Sequence, residues 1–370
     1  MTYASPGSNI EFADLQSEKS QEQANILRYP YRMLKPYIRT SENNQIRNHR
    51  RANLRGEMYE NLIYERLLAW ARSENRVSEF ILKGPYVNSE RKTAEGLVYN
   101  SRNQIFYMSS GETIAEFDAL LTFDGCRYFV EITDTENKPS IRELEYESLR
   151  KYNLMKILFP GERLGYWIIT TYQKQIDLEG LQNVVISRTP KFILDPDILC
   201  SLQRQNSFPL PVLGKIKTVY QIKYHSFDYQ AVMQTIHNEI ISVPPAAARG
   251  KFLELITPYT GLVERVFLGI LSAPDFLCLL QQHGQESLVK TIDIDHVILA
   301  FKIKAHPSVT AVAYIVSGRN CFYEVDLANF KIKSIELRKR ATRDIGHFDK
   351  GLNQLSLPTA KEYIRSSILG

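Results

Sequence analysis

Two short runs of alternating apolar and polar residues, Glu112–Phe123 and Cys126–Thr133, stand on either side of Asp124-Gly125. An Asp-Gly step between such runs predicts a two-residue hairpin turn, because both central positions favour φ > 0. With Phe123 and Cys126 as the pair flanking the turn, counting outward sets Asp118 opposite Glu131 and Glu116 opposite Thr133. Period-2 alternation puts these four on one face and Phe117, Ala119, Leu121, Tyr128, Val130 and Ile132 on the other. The second face is almost wholly apolar, so the hairpin is expected to pack on a core.

Around this hairpin the period changes. From Gly56, the residues Tyr59, Leu62, Ile63, Leu67 and Trp70 recur at three- and four-residue spacing, which predicts a helix with one apolar stripe and Glu60 at its border. Strand-like runs follow at Phe80–Leu82, Gly96–Tyr99 and Gln104–Met108. After Pro139 a long helix is expected from Ser140 to about Phe159, with Ser140 as N-cap and Glu143 three residues on. Its stripe reads Ile141, Leu144, Ser148, Lys151, Met155, Leu158, so one lysine interrupts a face that should pack on the sheet. Either its stem is buried while the amine snorkels to water, or its ammonium is delivered beside the acids of the hairpin. Gly165–Thr171 reads as a strand buried on both faces, and Asn183–Ser187 as another short one.

Beyond residue 200 the pattern starts afresh. Asn206–Gly214, with two prolines and a glycine, reads as a linker. A strand is expected at Lys215–Lys223, then helices near Tyr229–Glu239, Gly250–Ile256, Gly261–Leu271 and Pro274–Gln282. An antiparallel set follows, Asp293–Ile303, Thr310–Ser317, Asn320–Asp326 and Lys331–Leu337, and two short helices, Thr342–Gln354 and Thr359–Ile368, close the chain. The whole predicts an α/β domain with a mixed sheet flanked by helices, followed by an α+β domain. The divisions are a polar, flexible lead over 1–27, a basic arm over 28–55, the first domain over 56–205, a linker over 206–214 and a second domain over 215–370.

Length and composition agree with this: 370 residues suffice for two cores, and 44% hydrophobic with 24% charged residues is ordinary globular usage. The cysteines, Cys126, Cys200, Cys278 and Cys321, are too scattered for a zinc site or a disulfide framework, which points to a reducing, cytoplasmic setting. The start has no signal-peptide layout, and the longest apolar run, near Phe267–Leu280, is broken by Ser272, Pro274 and Asp275, so no membrane partner is expected.

Charge is uneven. Arg28, Arg32, Lys35, Arg39, Arg47, Arg50, Arg51 and Arg55 face only Glu42 between residues 28 and 55, a local +7 that leaves −2 for the rest of a chain of net charge +5. Tyr29, Tyr31 and Tyr37 are interleaved with it. Such a segment suits a phosphate backbone with stackable bases; equally, it suits an arm packed on its own protein's acidic face. Arg39, Arg47, Arg50, Arg51 and Arg55 are the candidate nucleic-acid contacts. Lys331–Arg343 is a second basic stretch.

The acid pair carries the chemistry. Directly opposed strand residues have Cβ atoms about 5 Å apart, where like charges repel. Asp118 and Glu131 on a packed hairpin therefore ask for a cation or a proton. Carboxylates holding one or two Mg²⁺ ions supply what phosphodiester hydrolysis needs: an activated water, charge relief on the phosphate, and orientation.

Three segments extend this reading. Gly-Glu-Met-Tyr-Glu (Gly56–Glu60), Ala-Glu-Phe-Asp-Ala-Leu-Leu (Ala115–Leu121) and Phe-Val-Glu-Ile-Thr (Phe129–Thr133) together resemble the PD-(D/E)xK, or restriction-endonuclease-like, nuclease superfamily, most of all its Holliday-junction-resolvase and Mrr-type branches. The likeness covers about residues 55–190. It implies a restriction-endonuclease-like fold and a Mg²⁺- or Mn²⁺-dependent endonuclease acting on DNA in preference to RNA. A substrate- or partner-recognition role then falls to the C-terminal domain, through which a homodimer or a protein partner is also expected. Glu60 matches the acid of the first core helix, Asp118 the metal-binding aspartate with Glu116 just before it, and Glu131 the acid of the E-x-K step. Thr133 stands where that step has its lysine. Members are known in which the lysine moves to the following helix, which makes Lys151 the candidate and Lys138, expected on a loop, the second. A domain in which neither lysine reaches the site binds nucleic acid without cutting it.

Overall fold

The computed structural model describes residues 25–38, 44–87, 95–109, 111–134, 138–176, 178, 181–190, 197, 223–290, 292–305, 308–317, 321–336 and 362–366. Two helices come first, α1 (Leu34–Ile38) and α2 (Asn44–Ser73). At 30 residues α2 is about 45 Å long and begins twelve residues before the Gly56 expected to open it. Its sequence carries no proline, and Leu54, Met58, Leu62, Ile63, Leu67 and Ala71 line its buried face. At its end the Ser73 hydroxyl donates to the Trp70 carbonyl, 2.9 Å, serving one of the oxygens a terminating helix leaves open.

Strands β1 (Val77–Phe80), β2 (Gly96–Asn100), β3 (Gln104–Ser109), β4 (Glu112–Phe117), β5 (Ala119–Phe123) and β6 (Cys126–Thr133) follow. Then come helix α3 (Lys138–Leu158) and strands β7 (Arg163–Thr170) and β8 (Val184–Arg188). They form a mixed α/β unit. One five-stranded sheet runs β1-β5-β6-β7-β8, antiparallel through β1, β5 and β6 and parallel from β6 to β8. A separate antiparallel sheet runs β2-β3-β4. The turn is as expected: Asp124 and Gly125 have φ of 50° and 69°, and Phe123 pairs with Cys126. Strand β7, parallel to both neighbours, is buried from Leu164 to Thr170, which accounts for its continuous apolar sequence.

On one face of the sheet, α2 buries Leu121, Phe123, Val130, Ile132 and Trp167, with Trp70 packed edge-on to Trp167 at 5.7 Å. On the other, Phe129 stacks on Tyr166 at 4.5 Å and meets Tyr152 of α3. Of the two readings of the basic arm, its tyrosines fit the one packed on its own protein. Tyr29, Tyr31 and Tyr37 are core residues, and the Tyr29 hydroxyl donates to the buried Glu65, 2.6 Å. They are unavailable for stacking bases, because each ring lies within the unit's own packing.

The chain divides into two compact units, residues 1–227 and 228–370. The expected linker, 206–214, and nearly all of the strand expected at 215–223 lie outside the described residues. In the second unit, helices α4 (Tyr229–Ile241), α5 (Pro245–Ile256) and α6 (Ala273–Gln282) accompany strands β9 (Arg265–Ser272), β10 (His296–Ala305), β11 (Ser308–Ser317), β12 (Cys321–Asp326) and β13 (Lys331–Glu336). The strands form one antiparallel sheet, β13-β12-β11-β10-β9. The helix expected at Gly261–Leu271 is instead β9. Gly261 sits in a turn at φ 79°, and Val266–Leu271 is an apolar run short enough for a strand, whose backbone groups pair with β10. Among the described residues, no helix is long and apolar enough to cross a membrane.

Candidate functional site

The site grows from the place where β4 and β5 part. β4 pairs with β3, Glu116 lying opposite Phe106, so Glu116 does not face Thr133 as counting from the turn predicted. The hairpin register extrapolated through Asp118 assumed one unbroken strand, whereas the chain changes sheets at that residue. Asp118 stands one step beyond the last β5–β6 pair, Ala119 with Val130. Its N–H donates to the Val130 carbonyl, 3.2 Å, and its Oδ2 accepts from the Ile132 N–H, 2.6 Å. Asp118 is thus bonded to both residues that flank Glu131.

Two lysines reach these acids. Lys151 comes off α3, buried, and its Nζ pairs with Glu131 Oε2. This is the second of the two alternatives read from its stripe. Lys83 follows β1, with only 1% of its side chain exposed, and its Nζ lies 2.6 Å from Glu60 Oε1. Tyr64, one turn beyond Glu60 on α2, holds Lys83 twice. Its hydroxyl accepts the Lys83 N–H at 3.0 Å, and its ring centroid lies 5.1 Å from the ammonium. The next residue, Gly84, has φ +64°, and a Cβ there would come within 2.9 Å of the Tyr29 ring, so only glycine suits this turn.

Three carboxylates and two ammonium groups therefore share one neighbourhood, and the balance is negative. Burial, then Glu60, then Glu131 push the Asp118 carboxyl well above the usual carboxylate range, more than Lys83 and Lys151 pull it back. Burial pushes the Lys151 ammonium down, yet Glu131 and Asp118 together leave it above its ordinary value. Among the described residues, the second oxygen of Glu60, Asp118 and Glu131 has no hydrogen-bond donor. These are hard oxygen donors with room for a proton or a hard cation. No group of three or more His, Cys, Asp or Glu among the described residues is close enough to hold a metal ion by itself.

The other candidates lie as follows. Thr133 ends β6, half-buried, beside Thr170 of β7. Glu116 is 42% exposed, 3.4 Å from Gln104 and 3.7 Å from Arg32. Lys138 is the first residue of α3 rather than part of a loop, because the helix starts two residues early; its side chain lies outside the described part. Arg55 pairs with the buried Asp134, 2.9 Å, which also accepts the Thr171 hydroxyl. Arg50 donates to the Pro36 carbonyl, 2.7 Å, and Arg47 lies 5.9 Å from the Tyr37 ring centroid. Arg47 and Arg51 are exposed, and Arg39 is outside the described residues.

Lys83 escaped sequence reasoning. Its signal was faint, a lysine ending the apolar run Phe80-Ile81-Leu82 before Gly84-Pro85, where a solvent-facing loop is the ordinary expectation. Compared with family models, curated proteins and solved structures, the chain matches none of them.

Proposed function

We propose that the first unit is a restriction-endonuclease-like domain and that the protein is a divalent-metal-dependent nuclease hydrolysing phosphodiester bonds of DNA. The second unit then serves recognition of substrate, a protein partner or a second copy. The observation that carries this reading is the gathering of Glu60, Asp118 and Glu131 from a helix and two neighbouring strand positions, with Lys83 and Lys151 buried among them. A structural ion pair needs no third and fourth charge, and a solvated sheet face has no reason to bury two ammonium groups.

The donors fit Mg²⁺ or Mn²⁺. Mg²⁺ keeps several waters and takes one or two carboxylates plus substrate phosphate oxygens, so a three-acid cage is not required. A bound ion would lower the pKa of its water and offset phosphate charge. Asp118 and Glu131 would hold it through their open oxygens, and Glu60 would hold its waters or a second ion. The Asp118 carboxylate, fixed by the Ile132 N–H, keeps its other oxygen aimed away from that bond. Water oxygen bonds to phosphorus as the ester P–O bond breaks, and the departing oxygen takes up a proton. Lys151 supplies positive charge beside the phosphate as that negative charge develops, the part an ammonium at position 133 would otherwise play. Thr133 has a hydroxyl that orients water and no charge to lend. Lys83 holds Glu60 in place.

One observation favours a second reading, a nuclease-fold protein that binds nucleic acid without cutting it. Glu131 and Glu60 are each already paired with a lysine, and among the described residues no three acids lie close enough together to hold a metal ion by themselves. Incubation with plasmid DNA in Mg²⁺ or Mn²⁺ separates the two. Nicking that vanishes with EDTA and in Asp118→Ala and Glu131→Ala, while DNA binding persists, supports the nuclease. Equal trace cutting by wild type and Asp118→Ala rules it out and leaves the binding protein.

A further inference from the structure

Arg32 bridges the same two stretches of chain that carry Glu60 and Asp118. Its Nε is 3.4 Å from Glu57, nearly one turn before Glu60 on α2, and its Nη1 is 3.7 Å from Glu116, two residues before Asp118 on β4. One helical turn and two strand residues span about 5 and 7 Å, so the guanidinium stands beside the acids rather than among them. The charge of Glu60 acts on Glu57, which puts Arg32 at the rim of the same negative field. Water reaches it where it does not reach the two lysines. Lys83 and Lys151 keep 1% and 9% of their side-chain surface, and Arg32 keeps 53%. Its contacts are looser as well. Lys83 closes on Glu60 to 2.6 Å, a tight charged hydrogen bond, whereas both Arg32 contacts are long. An exposed pair of that kind adds little to stability. The backbone beneath it is nonetheless fixed. Tyr31 is buried with its hydroxyl on the Ile26 carbonyl, 2.8 Å, and the Met33 N–H donates to Glu57, 3.1 Å. A rigid stem under a loosely paired, exposed head group suits a ligand contact better than a strut.

We propose that Arg32 leaves Glu57 and Glu116 to bind a phosphate of the DNA strand next to the one held over Asp118 and Glu131. A phosphodiester offers two oxygens on one atom, which the planar guanidinium fork takes together. Glu57 and Glu116 instead draw its nitrogens toward two different elements, and neither contact is short. The buried lysines are confined to the acids they pair with, whereas the exposed Arg32 can follow a strand outward. Glu116 thereby becomes a competitor: it holds in the free protein the cation that the neighbouring phosphate takes on binding.

This contact rests on the nuclease reading, and the two can fail separately. Binding of a labelled DNA duplex to the full-length protein, followed by fluorescence anisotropy in EDTA over a series of salt concentrations, needs no turnover. Arg32→Ala should weaken binding about tenfold and lower the salt slope by about one, with the urea midpoint unchanged. Arg32→Lys should restore the slope and only part of the affinity, since an ammonium is a point charge without the fork. Glu116→Gln should bind tighter than wild type, and the gain should vanish when Arg32→Ala is added, because Glu116 acts through its hold on Arg32. In Mg²⁺, Arg32→Ala should raise KM for the same duplex about tenfold and leave kcat within about twofold. Wild-type affinity in Arg32→Ala, a lowered urea midpoint alongside the loss, a Glu116→Gln gain that persists undiminished without Arg32, or a fall in kcat at unchanged KM would each overturn the proposal. A wild type that binds as described and does not cleave would sink the nuclease reading and leave the Arg32 contact standing.

Discussion

Lys83→Met keeps the volume of a buried stem and deletes its charge. Removing one partner of a fully buried ion pair costs about 3–5 kcal/mol, because the survivor is left uncompensated. Two features of this pair lower that figure. Glu60 keeps 18% of its side-chain surface, so water answers part of its charge. Met also relieves the cost of holding an ammonium at 1% exposure. Loss of the ammonium over the Tyr64 ring adds back up to about 1–2 kcal/mol, for an expected net loss of about 2–3 kcal/mol. In the Glu60→Gln background the same substitution should cost less than about 1 kcal/mol, since a neutral pair leaves no charge stranded. Trp70 and Trp167, the chain's only tryptophans, both lie in the first unit, so urea unfolding followed by their fluorescence reports that unit alone. An equal cost in both backgrounds would show that Lys83 and Glu60 are not energetically coupled. That outcome would remove Lys83 from the site.

Two further outcomes follow from the same charges. Without divalent ions, Asp118→Asn should melt higher than wild type at pH 8, and the advantage should fade as pH falls toward about 4. The sign follows from the raised Asp118 pKa: the folded protein holds that proton more tightly than the unfolded chain, so wild type loses stability as pH rises through the folded value. A difference that is constant with pH would contradict it. Lys151→Ala should reduce plasmid cleavage by at least about a hundredfold, the scale of a lost transition-state charge contact, and Lys138→Ala should reduce it far less. The reverse order would refute the assignment of Lys151.

What the chain disclosed in advance was local. Asp124-Gly125 demands positive φ at both positions, so turn and register followed, and Asp118 came to lie beside Glu131. Lys151 was legible because a helical stripe has a fixed period and one polar member stood out. Nothing local indicates that a strand leaves its sheet, so counting from the turn puts Glu116 opposite Thr133, whereas β4 pairs with β3. Lys83 depends on Tyr64, nineteen residues earlier, and on a glycine turn packed under Tyr29, contacts that only the tertiary fold creates. Tyr29, Tyr31 and Tyr37 are the converse case: aromatics beside arginines suit a nucleic-acid face or a packed arm, and only the tertiary burial of the three rings chooses the second for them. The sequence of β9 reads equally as a helix, because apolar residues without alternation suit either element until a partner strand is known.

The central claim is that Asp118 and Glu131 are held together at an energetic cost that a divalent cation relieves. Calorimetric titration of the full chain with Mn²⁺, in two buffers of different ionisation heat, measures this directly. Binding should be accompanied by proton release, because burial and the neighbouring acids raise the Asp118 pKa and a bound cation opposes that shift, and should disappear in Asp118→Asn and Glu131→Gln while both variants remain folded. Mn²⁺ uptake of equal strength in wild type and Asp118→Asn, or none in either, would contradict it.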